Sequence, residues 1–221
     1  MKKANELQYA ILGLGVFGST IAKTLSSYDC EVIAIDRESD CVHRLADIVT
    51  LGVRGDITDI NVLRNAGVAD CDVAIIAVGT HLEESLMAVL NAKELGVPKI
   101  IAKAKNKRYK EILLRVGADK VVRPEKEMGV VTAKSLLNKN IVEMIDLDKE
   151  YSVAEILAPS EWVGKTLQEL DVRSRLEINV VGVRYCDGRL DVTPNPFAPI
   201  DAQDHIVVIA HSSKFDELDF S

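Results

Sequence analysis

Apolar residues gather in short Val- and Ile-rich runs at 9–12, 32–35, 50–53, 73–78, 100–102 and 120–122. Runs of this length, apolar at consecutive positions, suit strands of a parallel sheet that is covered on both faces. Between them the spacing turns helical. Ile21 and Leu25 repeat one helical turn apart after a glycine-rich break, and Leu86, Val89, Leu90 and Leu95 form a stripe that Gly96 and Pro98 end. Strand and helix alternate in this way through residue 140, which predicts an α/β domain with a doubly wound parallel sheet.

The character changes after Leu137. Asn138, Lys139 and Asn140 read as a polar connection, and residues 142–147 fit either a strand or a dimerisation arm. Beyond them the pattern predicts strands at 151–157, 178–185 and 205–210 and a short helix at 166–170. Asp187-Gly188 between alternating apolar positions is a hairpin signal, and Pro194, Pro196 and Pro199 share one loop. The expected organisation is two domains, residues 1–140 and a small α+β unit at 141–221.

Composition narrows the class of function. With 27 basic and 34 acidic residues among 221, the formal net charge is −7, which argues against the basic face a nucleic-acid binder needs. Cys30, Cys41, Cys71 and Cys186 are isolated and read as reduced thiols of a cytosolic protein. His43, His81, His205 and His211 lack metal-ligand spacing, so no zinc site is expected. Lys2 and Lys3 precede an apolar stretch, but Gly13, Gly15 and Gly18 break it before a signal-peptide pattern develops. No run approaches the roughly 18 to 20 apolar residues of a membrane span. Any membrane role is therefore expected to be that of a peripheral subunit.

Candidate chemistry concentrates at the strand ends. Gly13-Leu14-Gly15-Val16-Phe17-Gly18 follows a strand and opens a helix. In such a turn the first glycine bends the chain, the second lets backbone approach a phosphate, and the third allows close helix packing. Asp36 ends the next expected strand, where a carboxylate accepts from ribose hydroxyls and repels a 2′-phosphate. Together these predict a Rossmann-type nucleotide site, the alternative being a vestigial fold that binds nothing. Val16, Phe17, Arg37, Ile57 and Val78 are expected to border it. Asp56 and Thr58 follow the third strand, where Asp56 can accept from an adenine amino group or one of the two can cap the next helix. Gly79 permits close approach after the fourth strand. Lys103 reads as a phosphate contact or a solvated lysine, and Glu125 as a site residue or a favourable charge at a helix start.

These residues, with Gly117-Ala118-Asp119 and the run from Pro124 to Gly129, resemble the cytosolic gating subunits of Trk/Ktr potassium uptake systems over essentially the whole chain. The resemblance implies an N-terminal domain regulating potassium conductance (RCK) and the family's small C-terminal domain. It implies a non-enzymatic protein, dimers assembling into a ring that is commonly octameric, and docking under a separate potassium-translocating membrane subunit. It further implies ATP, ADP or NAD(H) in the crevice, with Asp36 on ribose, Lys103 near phosphates and Glu125 beside a bound cation. Related subunits often carry arginine where this chain has Val16, which weakens the expectation of ATP-over-ADP discrimination. In the second domain Leu167, Asp171, Arg173, Asn179 and Val180 are similar to a cyclic di-AMP pattern, against the plainer reading of a helix-capping Asp171 and a surface Arg173.

Two rival functions share the glycine fingerprint, because a fold does not fix an activity. An NAD-dependent oxidoreductase needs an acid/base constellation, and Tyr109, Lys110 and His81 are scattered. A redox-sensing transcription regulator needs a helix-turn-helix and a basic face, and the sequence offers neither.

Overall fold

The computed structural model describes residues 7–137, 140–148 and 150–217. Lys2, Lys3, Asn138 and Lys139, used in the sequence reading, lie outside the described residues. The chain divides into two compact units, Met1–Lys126 and Glu127–Ser221.

Six parallel strands form the first unit's sheet: β1 (Gln8–Leu12), β2 (Glu31–Asp36), β3 (Leu51–Arg54), β4 (Val73–Ile76), β5 (Lys99–Lys103) and β6 (Lys120–Val122). Their order is β3-β2-β1-β4-β5-β6, so the winding reverses between β1 and β4. A doubly wound sheet opens a ligand crevice at such a reversal. Helices α1 (Val16–Ser27), α2 (Ser39–His43), α3 (Ile60–Asn65), α4 (Leu82–Glu94), α5 (Lys107–Val116) and α6 (Pro124–Leu137) connect and follow the strands. The division between units falls inside α6.

The two-residue period of a strand places apolar residues of the central strands on both faces of the sheet. Ala10 and Leu12 join Ala74, Ile76, Ile100 and Ala102 in one buried layer, whereas Ile11 joins Ala34, Ile75, Ala22 and Val42 on the other side. The fourth strand is shorter than expected, ending at Ile76 rather than residue 78. The Ala77 N–H still donates to the Leu12 carbonyl, after which the chain leaves the sheet and Val78 faces the crevice.

The second unit is an antiparallel sheet in the order β10-β9-β11-β8-β7. Its elements are β7 (Ile141–Asp146), β8 (Tyr151–Leu157), α7 (Leu167–Leu170), α8 (Val172–Leu176), β9 (Asn179–Arg184), β10 (Leu190–Asp191), β11 (His205–His211) and α9 (Ser212–Glu217). The segment left open between strand and arm is a strand, paired along β8. Here burial alternates. Ser152, Ala154 and Ile156 of β8 and Ile206, Val208 and Ala210 of β11 turn inward onto Trp162, Leu170, Ile178 and Phe215. A sheet packed on one face shows this alternation. The hairpin at Asp187-Gly188 joins β9 to β10, with Gly188 at φ 86°. Thr166 caps α7 in a reciprocal pair with Glu169, which satisfies two of the donors a helix start leaves open.

Candidate functional site

The glycine turn between β1 and α1 is shaped from within. Gly13 sits at φ +98°, and a Cβ there would lie 2.6 Å from Val78 Cγ1. A Cβ on Gly18 would fall on the Gly13 carbonyl oxygen and 2.9 Å from Ala77 Cβ. Neither position tolerates a side chain, because the turn's own backbone and the residues just after β4 occupy the space. Gly15 differs. Its φ of −63° suits any residue, and a Cβ there would meet nothing within 4 Å. The chain itself gives no reason for glycine at that point, and the open space adjoins the crevice. Gly15 is also the N-cap of α1, with no side-chain cap and no acid in the first turn, so no side chain competes for the helix's leading N–H groups, the kind of donors that suit an anion.

Asp36, the last residue of β2, fastens this turn. Its Oδ2 accepts from the Leu14 N–H at 2.6 Å and its Oδ1 from the Glu38 N–H at 2.9 Å. A carboxylate has about four lone-pair sites, so two backbone bonds leave acceptor capacity for ribose hydroxyls. Beyond β3, Asp56 Oδ1 accepts from both the backbone N–H and the hydroxyl of Thr58, which holds the carboxyl below its ordinary range. Neither of them caps α3. Asp59 does, accepting from the Asn61 N–H, because Asp56 is already folded back onto Thr58.

A crevice of about 260 Å³ brings together Gly13, Gly15, Asp36, Arg37, Asp56, Ile57 and Val78. Sequence reasoning missed four further lining residues: Glu38, Cys41, Gly55 and Glu84. Glu84 lies in the first turn of α4, and no local signal ties it to Asp36; only the chain's crossover brings them to one cleft. Its helix is fixed there by buried polar groups. Ser85 Oγ donates to the Val78 and His81 carbonyls, and the Asn91 amide donates to the Thr58 carbonyl at 2.8 Å. Four carboxylates and one guanidinium line the crevice. Such a wall accepts hydrogen bonds from a donor-rich ligand and repels anions.

Val16, Phe17, Gly18, Thr58, Gly79, Lys103 and Glu125 stand outside that lining. Val16 is 88% exposed at the start of α1. Lys103, at the end of β5, runs its stem along Gly79, where a Cβ would come within 3.3 Å, and lies 5.7 Å from the Phe17 ring centre. Its ammonium is engaged by Glu125 Oε1 at 2.6 Å. Glu125 occupies the first turn of α6, and its bond to Lys103, followed by its own backbone N–H, lowers its pKa. The described residues contain no group of three His, Cys, Asp or Glu arranged to hold a metal. Among them, too, no helix is long and apolar enough to cross a membrane.

The second unit gathers its own set. Leu167, Asp171, Arg173, Asn179 and Val180, with Val172 and Ile178, line one hollow of about 220 Å³. Asp171 stands at the N-cap position of α8 yet makes no cap bond to backbone; its carboxylate accepts from Ser174 Oγ instead. Asp171 at φ 42° and Glu177 at φ 60° bracket α8, two L-residues in the left-handed region.

Comparison with known proteins agrees with this architecture. The TrkA-N domain matches residues 9–124 and the TrkA-C domain residues 151–219. Ktr system potassium uptake protein C of Bacillus subtilis (strain 168) is 37% identical over 202 residues, 91% of each chain. Ktr system potassium uptake protein A of the same organism is 34% identical over 211 residues, 96% of this chain and 95% of the relative. The crystal structure of the GsuK RCK domain superposes with a TM-score of 0.66 at 22% identity, covering 100% of this chain and 48% of that one. This chain thus spans less than half of that solved polypeptide, and at this identity the likeness concerns the fold. A TrkA-N domain followed by a TrkA-C domain, with relatives alike along nearly their full length, makes the chain a member of the TrkA/Ktr family of potassium uptake proteins.

Proposed function

We propose that this chain is the cytoplasmic, non-catalytic subunit that gates a potassium-translocating membrane protein, and that it does so by binding ATP, ADP or NAD(H) in the β1–β4 crevice. Residues 1–140 form its nucleotide-binding part and residues 141–221 its accessory part. The observation that carries the reading is the vacancy at Gly15: a glycine that neither φ nor any neighbour demands, beside an uncapped helix start and a ribose-competent Asp36. Support also comes from like-folded structures of the GsuK channel bound to NAD and of GsuK bound to ADP.

In this reading phosphates sit on the N–H groups of the glycine turn and α1, with Phe17 and Gly18 shaping the turn, Asp36 on the ribose and Asp56 on the base. Lys103 exchanges Glu125 for phosphate, and the freed carboxylate becomes available to a cation. Val16 supplies no charge, so ATP and ADP are weakly distinguished. Dimers assemble into an octameric ring on the inner membrane face. A ligand moves such a ring only by its difference in affinity between two conformations. A full switch takes about 5.5 kcal/mol, which eight sites supply at under about 1 kcal/mol each, less than a typical coupling energy asks of one site.

The test pairs ligand binding with transport. Calorimetry with ATP, ADP and NADH should show binding that Asp36→Ala weakens, and potassium flux through the reconstituted complex should lose its nucleotide response in that variant. An unaltered flux response rejects the proposal.

A second ligand is favoured by one specific observation. All five residues of the cyclic di-AMP pattern share one hollow, and two strained residues bracket the helix beside it. Strain of this kind collects where a ligand is held. Titration with cyclic di-AMP should give heat that Arg173→Ala abolishes, and an unchanged affinity excludes the hollow.

A further inference from the structure

If the β1–β4 crevice holds an adenosine nucleotide, as proposed above, Arg37 poses a question of selectivity. It follows Asp36 directly at the carboxyl end of β2, the point where ribose hydroxyls meet the protein. An arginine near that point is the means by which dinucleotide sites accept a 2′-phosphate, since a guanidinium matches phosphate with paired donors. Here the guanidinium is committed elsewhere. Arg37 Nη1 lies 3.2 Å from Glu84 Oε1, a bridge between the loop after β2 and the first turn of α4. Nε is 3.9 Å from Glu38 Oε1. Both ends of the bridge are anchored: the Arg37 carbonyl accepts from Arg54 Nε at 3.2 Å, and the α4 turn is tied to Val78 through Ser85.

We propose that Glu84 is a specificity-determining residue, which holds Arg37 in an internal ion pair and so denies a cation to nucleotides phosphorylated on the ribose 2′ oxygen. Asp36 repels that phosphate directly, and Glu84 removes the compensating charge that would let it bind. Selectivity here is built partly by repulsion and partly by occupying a group that would relieve it. The Arg37 side chain is 62% exposed, and ion pairs of that kind add little to folding. Glu84 can therefore be altered without losing the structure.

The experiment measures the affinity of the full chain for ADP-ribose and for its 2′-phosphorylated form. These share the adenosine diphosphate of every candidate ligand. Four proteins are compared: wild type, Glu84→Gln, Arg37→Gln and the double variant. Wild type should prefer ADP-ribose. Glu84→Gln should shift the ratio of the two affinities about fivefold toward the 2′-phosphorylated form, as expected of an exposed charge contact. Adding Arg37→Gln should erase that gain. A preference unchanged by Glu84→Gln, or a gain that survives in the double variant, overturns the proposal while leaving nucleotide binding intact. Wild-type protein that binds neither compound overturns both readings together.

Discussion

The crevice beside the glycine turn and the hollow beside α8 have similar volumes, about 260 and 220 Å³, yet they are built by opposite means. The glycine-turn side of the crevice is cut by main chain. Gly13 and Gly18 are forced by contacts with Val78, Ala77 and each other, so the turn forms whether or not a ligand arrives. The hollow is cut by side chains of α7, α8 and β9, and the two ends of α8, Asp171 and Glu177, hold a backbone conformation that L-residues disfavour. A site made from backbone necessity is stable by construction. A site held against local preference costs the fold something, and its retention needs another reason.

Substitution at the turn should break this contrast most severely. Gly18→Ala places a methyl on the Gly13 carbonyl, and we expect a loss of about 3 kcal/mol or more in denaturant-monitored stability. A change below about 1 kcal/mol would show that the turn yields. Gly15→Ala should do the reverse: folding altered by less than about 1 kcal/mol, since the methyl enters open space, but nucleotide affinity reduced at least about tenfold. Equal affinity in calorimetry would mean that the vacancy is not the phosphate position.

The second unit supplies a pH test. Glu155 accepts from Arg184 Nε and Nη2 at 2.9 and 3.0 Å, and lies 2.8 Å from His205 Nδ1. The Arg184 bonds, then burial working against them, then His205, leave its carboxyl below the ordinary value. A depressed carboxylate stabilises the fold fully above the unfolded value, about 4.3, and loses that contribution as pH falls through the lower folded one. Glu155→Gln should therefore flatten the acid limb of the stability profile below about pH 4.3. An acid limb identical to that of wild type would place the sensitivity elsewhere.

Smallest is the effect of relieving strain. Glu177→Gly, at φ 60°, should raise stability by about 0.5 to 1 kcal/mol, partly offset by losing the Lys214 ion pair at 3.3 Å. A loss in thermal denaturation would mean that the conformation at Glu177 is not a burden.

Much of the first unit was legible because its signals are local and redundant. Six apolar runs, a glycine turn and an acid one strand later define a doubly wound sheet almost without tertiary knowledge. Other features were hidden for a physical reason. The apolar run at 73–78 does not reveal that Val78 leaves the sheet, since a crevice wall and a buried strand are equally hydrophobic. Asp56, Thr58 and Asp59 are all caps by type, and only the bonds that Thr58 donates to Asp56 and Asn61 donates to Asp59 decide among them. Asn91 sits within an apolar helix stripe, and its anchoring of the Thr58 carbonyl depends on a contact 33 residues away. The five residues of the hollow came from a resemblance; nothing in their spacing says that α7, α8 and β9 converge on one point.

One residue of the crevice wall turns the molecule into its own gauge. Cys41 is half-buried beside Asp36 and Glu38, with Arg44 Nη2 at 3.1 Å from its sulfur, whereas Cys186 faces solvent in the other unit. Alkylation of the two thiols, followed peptide by peptide, provides a ratio internal to each molecule. A ligand in the cleft should slow the first and leave the second as a reference, so the protein's own thiols report its filling.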